Sequence, residues 1–259
     1  MKHFAKLFIL LVIVFSSCRI DNRKEIEENV KAFPKVYDTT GIEKFIFYKE
    51  DSPTWLTTSN YKLFYIGKVQ DTIFLNPYLN FGPFSTLPSE EQNINTEKKQ
   101  KLDLENYFLK WPQKKNYKFW YQSKVEIRID TSNLFSKSYP TLLTNMENDT
   151  IIIAYGQQIP LIMEAKDSIG NWKPIQTRYI YICGVGVGSI ILPPKECLMT
   201  LSPIFIGNYR TLLRVSLGNN HSNLFYGNIN YRQMQSMFDE SGNYNEAYTR
   251  EMKDEATNR

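Results

Sequence analysis

Short apolar runs broken by turn residues, at intervals of roughly 8–12 residues, constrain this chain more than any other feature. From Tyr117 to Arg232 the runs Val125–Asp130, Pro140–Thr144, Thr150–Tyr155, Leu161–Ala165, Tyr179–Cys183, Ser189–Leu192, Cys197–Leu201 and Tyr209–Leu217 follow one another, with Leu224–Tyr231 after them. The breaks carry turn chemistry: Asn148-Asp149, Ser168-Ile169-Gly170-Asn171, Pro193-Pro194, Gly207-Asn208 and Gly218-Asn219. Val125–Asp130 alternates apolar and polar side chains, as a half-buried strand does. This cadence predicts a mainly β protein, an antiparallel sandwich, with helix confined to short peripheral pieces near the N-terminal tether, at Leu102–Lys110 and after Tyr231. Upstream, Lys44–Lys49, Tyr61–Ile66 and Thr72–Leu75 are β-branched and aromatic, and Gly67–Asp71 reads as a hairpin connection. Pro77–Lys101 reads as a long loop. Whether Lys35–Leu75 joins the sandwich or forms a separate lobe is open at this stage.

The first residues say where the chain is expected to go. Lys2 and Lys6 precede Leu7–Phe15, nine unbroken apolar residues, too few to span a bilayer that needs about 20 in a helix. A basic start and a short apolar core make a secretory signal. The run ends in Phe15-Ser16-Ser17-Cys18, which resembles the lipobox of bacterial lipoproteins, with Phe15 where Leu is usual. The resemblance implies a diacylated Cys18, cleavage before it, acylation of the new N-terminus and a chain held in the cell envelope by lipid, with the outer membrane as the expected location. Loss of Lys2 and Lys6 would bring the net charge from +4 to +2, too balanced for a nucleic-acid binder, which shows a concentrated basic face.

The organisation expected is a signal over residues 1–17, a lipidated, charged tether over 18–35, a β-rich region with a long loop over 36–116, the β-sandwich over 117–235 and a polar tail over 236–259. The segments TLLTNMENDTI, LIMEAKDSIGNWKPI and LPPKECLMTLSPIFIGNYRTLLRVSL resemble the Ig-like β-sandwich modules of uncharacterised bacterial lipoproteins. That resemblance implies a fold and carries no activity.

Catalytic motifs are absent. With His3 in the signal, His221 in Gly218–Asn223 is the one imidazole left to serve a Ser–His–Asp arrangement, and an exposed loop histidine is the preferred reading. No metal-binding spacing of Cys or His occurs, and Gly184–Ser189 lacks the Lys and following helix of a phosphate loop, so no cofactor and no metal are expected. The aromatic share, 14%, leaves room for a binding patch, for which Trp55, Trp111, Trp120 and Trp172 are candidates because each sits beside turn-forming or charged residues. Asp38-Thr39-Thr40, Asp71-Thr72-Ile73, Asp149-Thr150-Ile151 and Asp167-Ser168-Ile169 are similar to the acceptor of some periplasmic O-glycosylation systems, which would modify Thr39, Thr72, Thr150 or Ser168.

Two cysteines remain once Cys18 is lipidated. An exported chain favours pairing Cys183 with Cys197. In a simple meander, however, Ser189–Leu192 would separate their strands by two sheet spacings, roughly 9–10 Å, beyond the ~7 Å reach of a disulfide. Two buried thiols are therefore expected. The functional expectation is a lipid-anchored binding module for an envelope protein or glycan, not an enzyme. The alternatives are an envelope-polymer hydrolase using unrecognised carboxylates and a toxin-neutralising immunity lipoprotein.

Overall fold

The computed structural model describes residues 32–42, 57–77, 79, 106–109, 116–156, 158–177 and 188–234. In chain order its strands are β1 (Lys35–Tyr37), β2 (Thr57–Thr58), β3 (Tyr61–Lys62), β4 (Tyr65–Lys68), β5 (Thr72–Phe74), β6 (Phe108–Leu109), β7 (Lys118–Phe119), β8 (Val125–Ile129), β9 (Ser138–Asn145) and β10 (Ile151–Tyr155). They continue as β11 (Gln158–Ile159), β12 (Ile162–Lys166), β13 (Trp172–Pro174), β14 (Gln176–Thr177), β15 (Ser189–Leu192), β16 (Glu196–Pro203), β17 (Tyr209–Leu217), β18 (Asn220–His221) and β19 (Phe225–Ile229). The protein is mainly β, and its helical content among the described residues is confined to short 3-10 turns, Trp120–Gln122 and Tyr231–Met234 among them. All the strands lie in the unit Pro34–Arg259.

Three antiparallel sheets supply most of the fold, as a β-sandwich requires. One runs β4-β16-β9-β8, a second β3-β11-β10-β15-β6, and a third β13-β12-β17, with β18 and β19 sharing the far edge of β17. Parallel pairs occur at β1 with β5, β14 with β2, and β7 with β10. Adjacent residues of a strand face opposite ways. In β17 this sends Leu213, Val215 and Leu217 inward, and β12 adds Met163 and Ala165 from the same face. They meet Val125, Ile127 and Ile129 of β8, together with Leu143 and Leu198, in one hydrophobic core. The reverse side of the β4-β16-β9-β8 sheet is covered too: Leu142, Cys197, Met199 and Leu201, of opposite parity to Leu143 and Leu198, are buried as well.

The Gly218–Asn223 loop locks two sheets together. β8 ends its sheet, so its outward N–H and C=O groups need partners. Asn220 Oδ1 accepts from Val125 N at 3.0 Å, while its Nδ2 donates to Ser123 O at 3.0 Å and Leu217 O at 3.2 Å. Asn223 imitates a strand against Ile129, accepting from its N at 2.8 Å and donating to its O at 3.0 Å. Between them Ser222 bridges to Ile127. Leu217 pairs with Asn220 across the two-residue connection Gly218-Asn219, and Gly218 supplies a φ of +59° that side-chain-bearing residues resist.

Several expectations change at the level of pairing. The Gly67–Asp71 connection does not close a hairpin: β4 pairs with β16 and β5 with β1, because both flanking strands find longer-range partners. Within Leu102–Lys110, Phe108–Leu109 is a strand against β15, where Phe108 enters the core. Within Lys35–Leu75, β3 and β4 are members of the large sheets, while β1 and β5 pair with each other. The meander assumed around the cysteines is also absent: β15 and β16 belong to different sheets, the chain crossing between them at Pro193-Pro194. The geometric objection to a disulfide therefore loses its basis. Cys197 is buried, opposite Thr144 and Gly67, whereas Cys183 lies outside the described residues. So do the runs Lys44–Lys49 and Tyr179–Cys183, the signal and Cys18, nearly all of the tether, and the tail from 235 onward.

Candidate functional site

The outer face of the β13-β12-β17-β18 sheet carries the chemistry. Because β17 alternates, the inward Leu213 and Val215 leave Arg214 and Ser216 pointing outward. Register places Glu164 of β12 opposite Arg214, Ile162 opposite Ser216, and His221 of β18 opposite Ser216 on the other side. Lys166 pairs with Trp172 of β13. Ile162, Glu164, Trp172, Arg214, Ser216 and His221 floor a groove of about 560 Å³, which Pro160, Asn171, Lys173 and Asn219 help to wall. Its size falls within the usual 300–1,000 Å³ range of small-molecule sites, taken as an order of magnitude.

The centre is a polar cluster. Glu164, 8% exposed, accepts from Arg214 Nε and from Ser216 Oγ, both at 2.6 Å on the same Oε2. Arg214 Cζ lies over Trp172, 4.3 Å from the ring centroid, with Lys166 Nζ at 5.9 Å. Glu164 thus fixes the guanidinium, and the guanidinium fixes the indole. His221 Nδ1 lies 2.8 Å from Ser216 Oγ. Ser216 has one proton, and the carboxylate, which only accepts, takes it. Nδ1 must then be the donor to Ser216 Oγ, and the neutral imidazole keeps its lone pair on Nε2. Burial first, and the Arg214 charge second, push His221 below its ordinary value, against an opposing pull from Glu164.

Ser, His and Glu are all present, yet the proton order is the reverse of a nucleophilic triad. There the base must accept the serine proton and the carboxylate must hold the imidazole. Here Ser216 is buried and gives its proton to Glu164, and His221 points its protonated nitrogen at the hydroxyl. The arrangement holds side chains in place and presents donors and acceptors to an incoming ligand. Among the described residues no group of His, Cys, Asp and Glu has the makings of a metal site.

The candidates from sequence scatter. Trp172 is in the groove, half-exposed. Trp120 is 8% exposed and belongs to the core, so it is not part of an exposed patch: Tyr155 meets it edge-on at 5.4 Å and Phe119 at 6.1 Å. The surface aromatic beside it is Tyr121, stacked on Phe119 at 5.3 Å and set against Gly218 at the groove wall. Trp55 and Trp111 lie outside the described residues. Thr39 is exposed, next to an Asp38 carboxylate that caps the backbone at Thr40, Gly41 and Ile42. Ser168 is exposed at the tip of the β12–β13 hairpin, while Thr72 and Thr150 are half-buried. Sequence reasoning missed Glu164, Arg214 and Ser216. The signal was present in Arg210, Arg214 and Ser216 at every second or fourth position of an otherwise apolar run. Compared with known proteins, the chain matches no family model, no curated protein and no solved structure.

Proposed function

We propose that this protein is a lipid-anchored component of a bacterial cell envelope that works by binding, through the outer face of the β13-β12-β17-β18 sheet. The observation that carries the reading is the fixed polar groove: Glu164, Arg214 and Trp172 hold one another in place, so the groove is preorganised. A hydrolase acting on envelope polymers would want two convergent carboxylates, and among the groove's described residues Glu164 is the one carboxylate, its Oε2 already engaged by two donors. The anchor rests on the order of basic residues, apolar run, small residues and Cys18.

The test of binding is photo-cross-linking from intact envelope, with the cross-linker at Asn219 on the groove wall and a control at Leu134 in a distant exposed loop. A partner captured at position 219 and absent at 134 supports the reading, and identical capture at both overturns it. The anchor is tested with Cys18→Ala, which is expected to leave the membrane fraction or to stay uncleaved. A mature-sized variant that still resists a carbonate wash overturns it.

A further inference from the structure

We infer that the groove recognises an acidic saccharide, a chain of uronic-acid-like sugars carrying carboxylates. This inference rests on the binding reading above and names its ligand. Sugar recognition combines planar polar side chains that can each bond two hydroxyls with an aromatic face against which the C–H side of a ring lies. The groove offers both. Among the described residues, the side-chain amides of Asn171 and Asn219 and the Nε2 of His221 have no hydrogen-bond partner within the protein, and all three line it. Trp172, half-exposed, supplies the aromatic surface, with Arg214 over its ring at 4.3 Å.

Charge selects among sugars. The Glu164 charge is matched by Arg214 at 2.6 Å, so the pair is nearly neutral to a ligand. Lys173 lines the groove with no ion pair, and Lys166 stands beside Trp172 with none either. Arg214 spends only Nε on Glu164, which leaves the ends of its guanidinium fork for a carboxylate. Asp167, whose carboxylate accepts from Asn171 N at 2.7 Å, offsets one of these two lysines, and the remaining positive charge favours an anionic ring over a neutral one. A peptide fits less well. Extended peptides join a sheet edge or fill apolar pockets, and this is the face of a sheet lined largely by polar side chains.

The test is calorimetric titration of the full chain, purified in detergent, with an oligogalacturonate and with a neutral galacto-oligosaccharide of equal length. The acidic chain is expected to bind, more weakly as salt rises, and the neutral one to bind at least about tenfold more weakly. Trp172→Ala and Lys173→Glu are each expected to weaken binding about tenfold or more. Asn219→Asp guards against misfolding of those variants, since it changes one exposed loop residue and sets a repelling charge at the groove wall. It is expected to weaken the acidic ligand and leave the melting temperature unchanged. Equal affinity for the neutral chain overturns the inference, and so do variants that bind as the parent does. Absence of binding to either sugar, with a protein captured from the envelope through position 219, overturns the acidic saccharide and leaves the binding reading standing. Capture of nothing specific at 219 brings down both.

Discussion

Asn220 offers the sharpest test of how the two sheets are joined. Truncating it to alanine removes the hydrogen bonds from Val125 N and to Ser123 O and Leu217 O, at 3.0–3.2 Å, and a longer one to Trp120 O at 3.5 Å. Each is worth about 1 kcal/mol net, and more where the deserted backbone group is out of reach of water. Asn220 is half-buried, so water restores part of the loss, and Asn220→Ala is expected to cost about 2–3 kcal/mol. In a domain of this size that lowers the melting temperature by about 4–12 °C. The assay is thermal and urea unfolding of the parent, Asn220→Ala, Asn223→Ala and Asn219→Ala. Asn223 is exposed and makes two such bonds to Ile129, so its loss is expected to cost about 1–2 kcal/mol. Asn219, whose side chain bonds to nothing within the protein among the described residues, is expected to change stability by less than about 0.5 kcal/mol. If all three asparagines behave alike, the side chains at 220 and 223 do not hold the edge of β8 and the reasoning fails.

The His221 ring, pushed down by burial and Arg214, binds its proton less readily in the folded chain than in the unfolded one, so stability is full above the unfolded value and falls as pH drops below it. Urea unfolding between pH 7.5 and 5, as round working values, should show a smaller fall for His221→Gln than for the parent, and a nuclear magnetic resonance titration of the ring should have its midpoint below the ordinary ~6.5. A methyl group on Gly207 overlaps the Ile229 carbonyl and the Asn230 nitrogen, both backbone, so Gly207→Ala is expected to cost at least about 2 kcal/mol or to yield insoluble protein. Leu143→Ala, at a fully buried position of β9, is expected to cost about 2–5 kcal/mol in the same assay.

The strands were legible because burial on one face writes a period of two into the sequence. Val125, Ile127 and Ile129 are inward and Glu126 is outward, as their alternation implies. Partners were illegible, because nothing local tells Tyr65–Lys68 that it pairs with Glu196–Met199. Burial on both faces also erases the alternation: in β9 the residues Pro140 to Asn145 are all buried. The groove was hidden for the same reason. Glu164 lies 50 residues from Arg214, and it and His221 are brought to the same cluster only through the registers of β12, β17 and β18. His221 read alone is an ordinary loop histidine, and only its position opposite Ser216 gives it a fixed tautomer.

The pairing of β4 with β16, and of β3 with β11, has a kinetic side. A strand whose partner lies roughly a hundred residues downstream stays unsatisfied while most of the chain is still being made. Closing such large loops carries an entropic cost that no local contact offsets in advance, so β-rich chains of this kind fold in milliseconds to seconds rather than microseconds. The β4-β16-β9-β8 sheet can be completed only after Glu196–Pro203 emerges. Until then β9, buried on both faces in the finished fold, has only β8 beside it. A truncation ending before Glu196 is therefore expected to aggregate rather than to fold as a smaller unit, which light scattering of the expressed fragment would check.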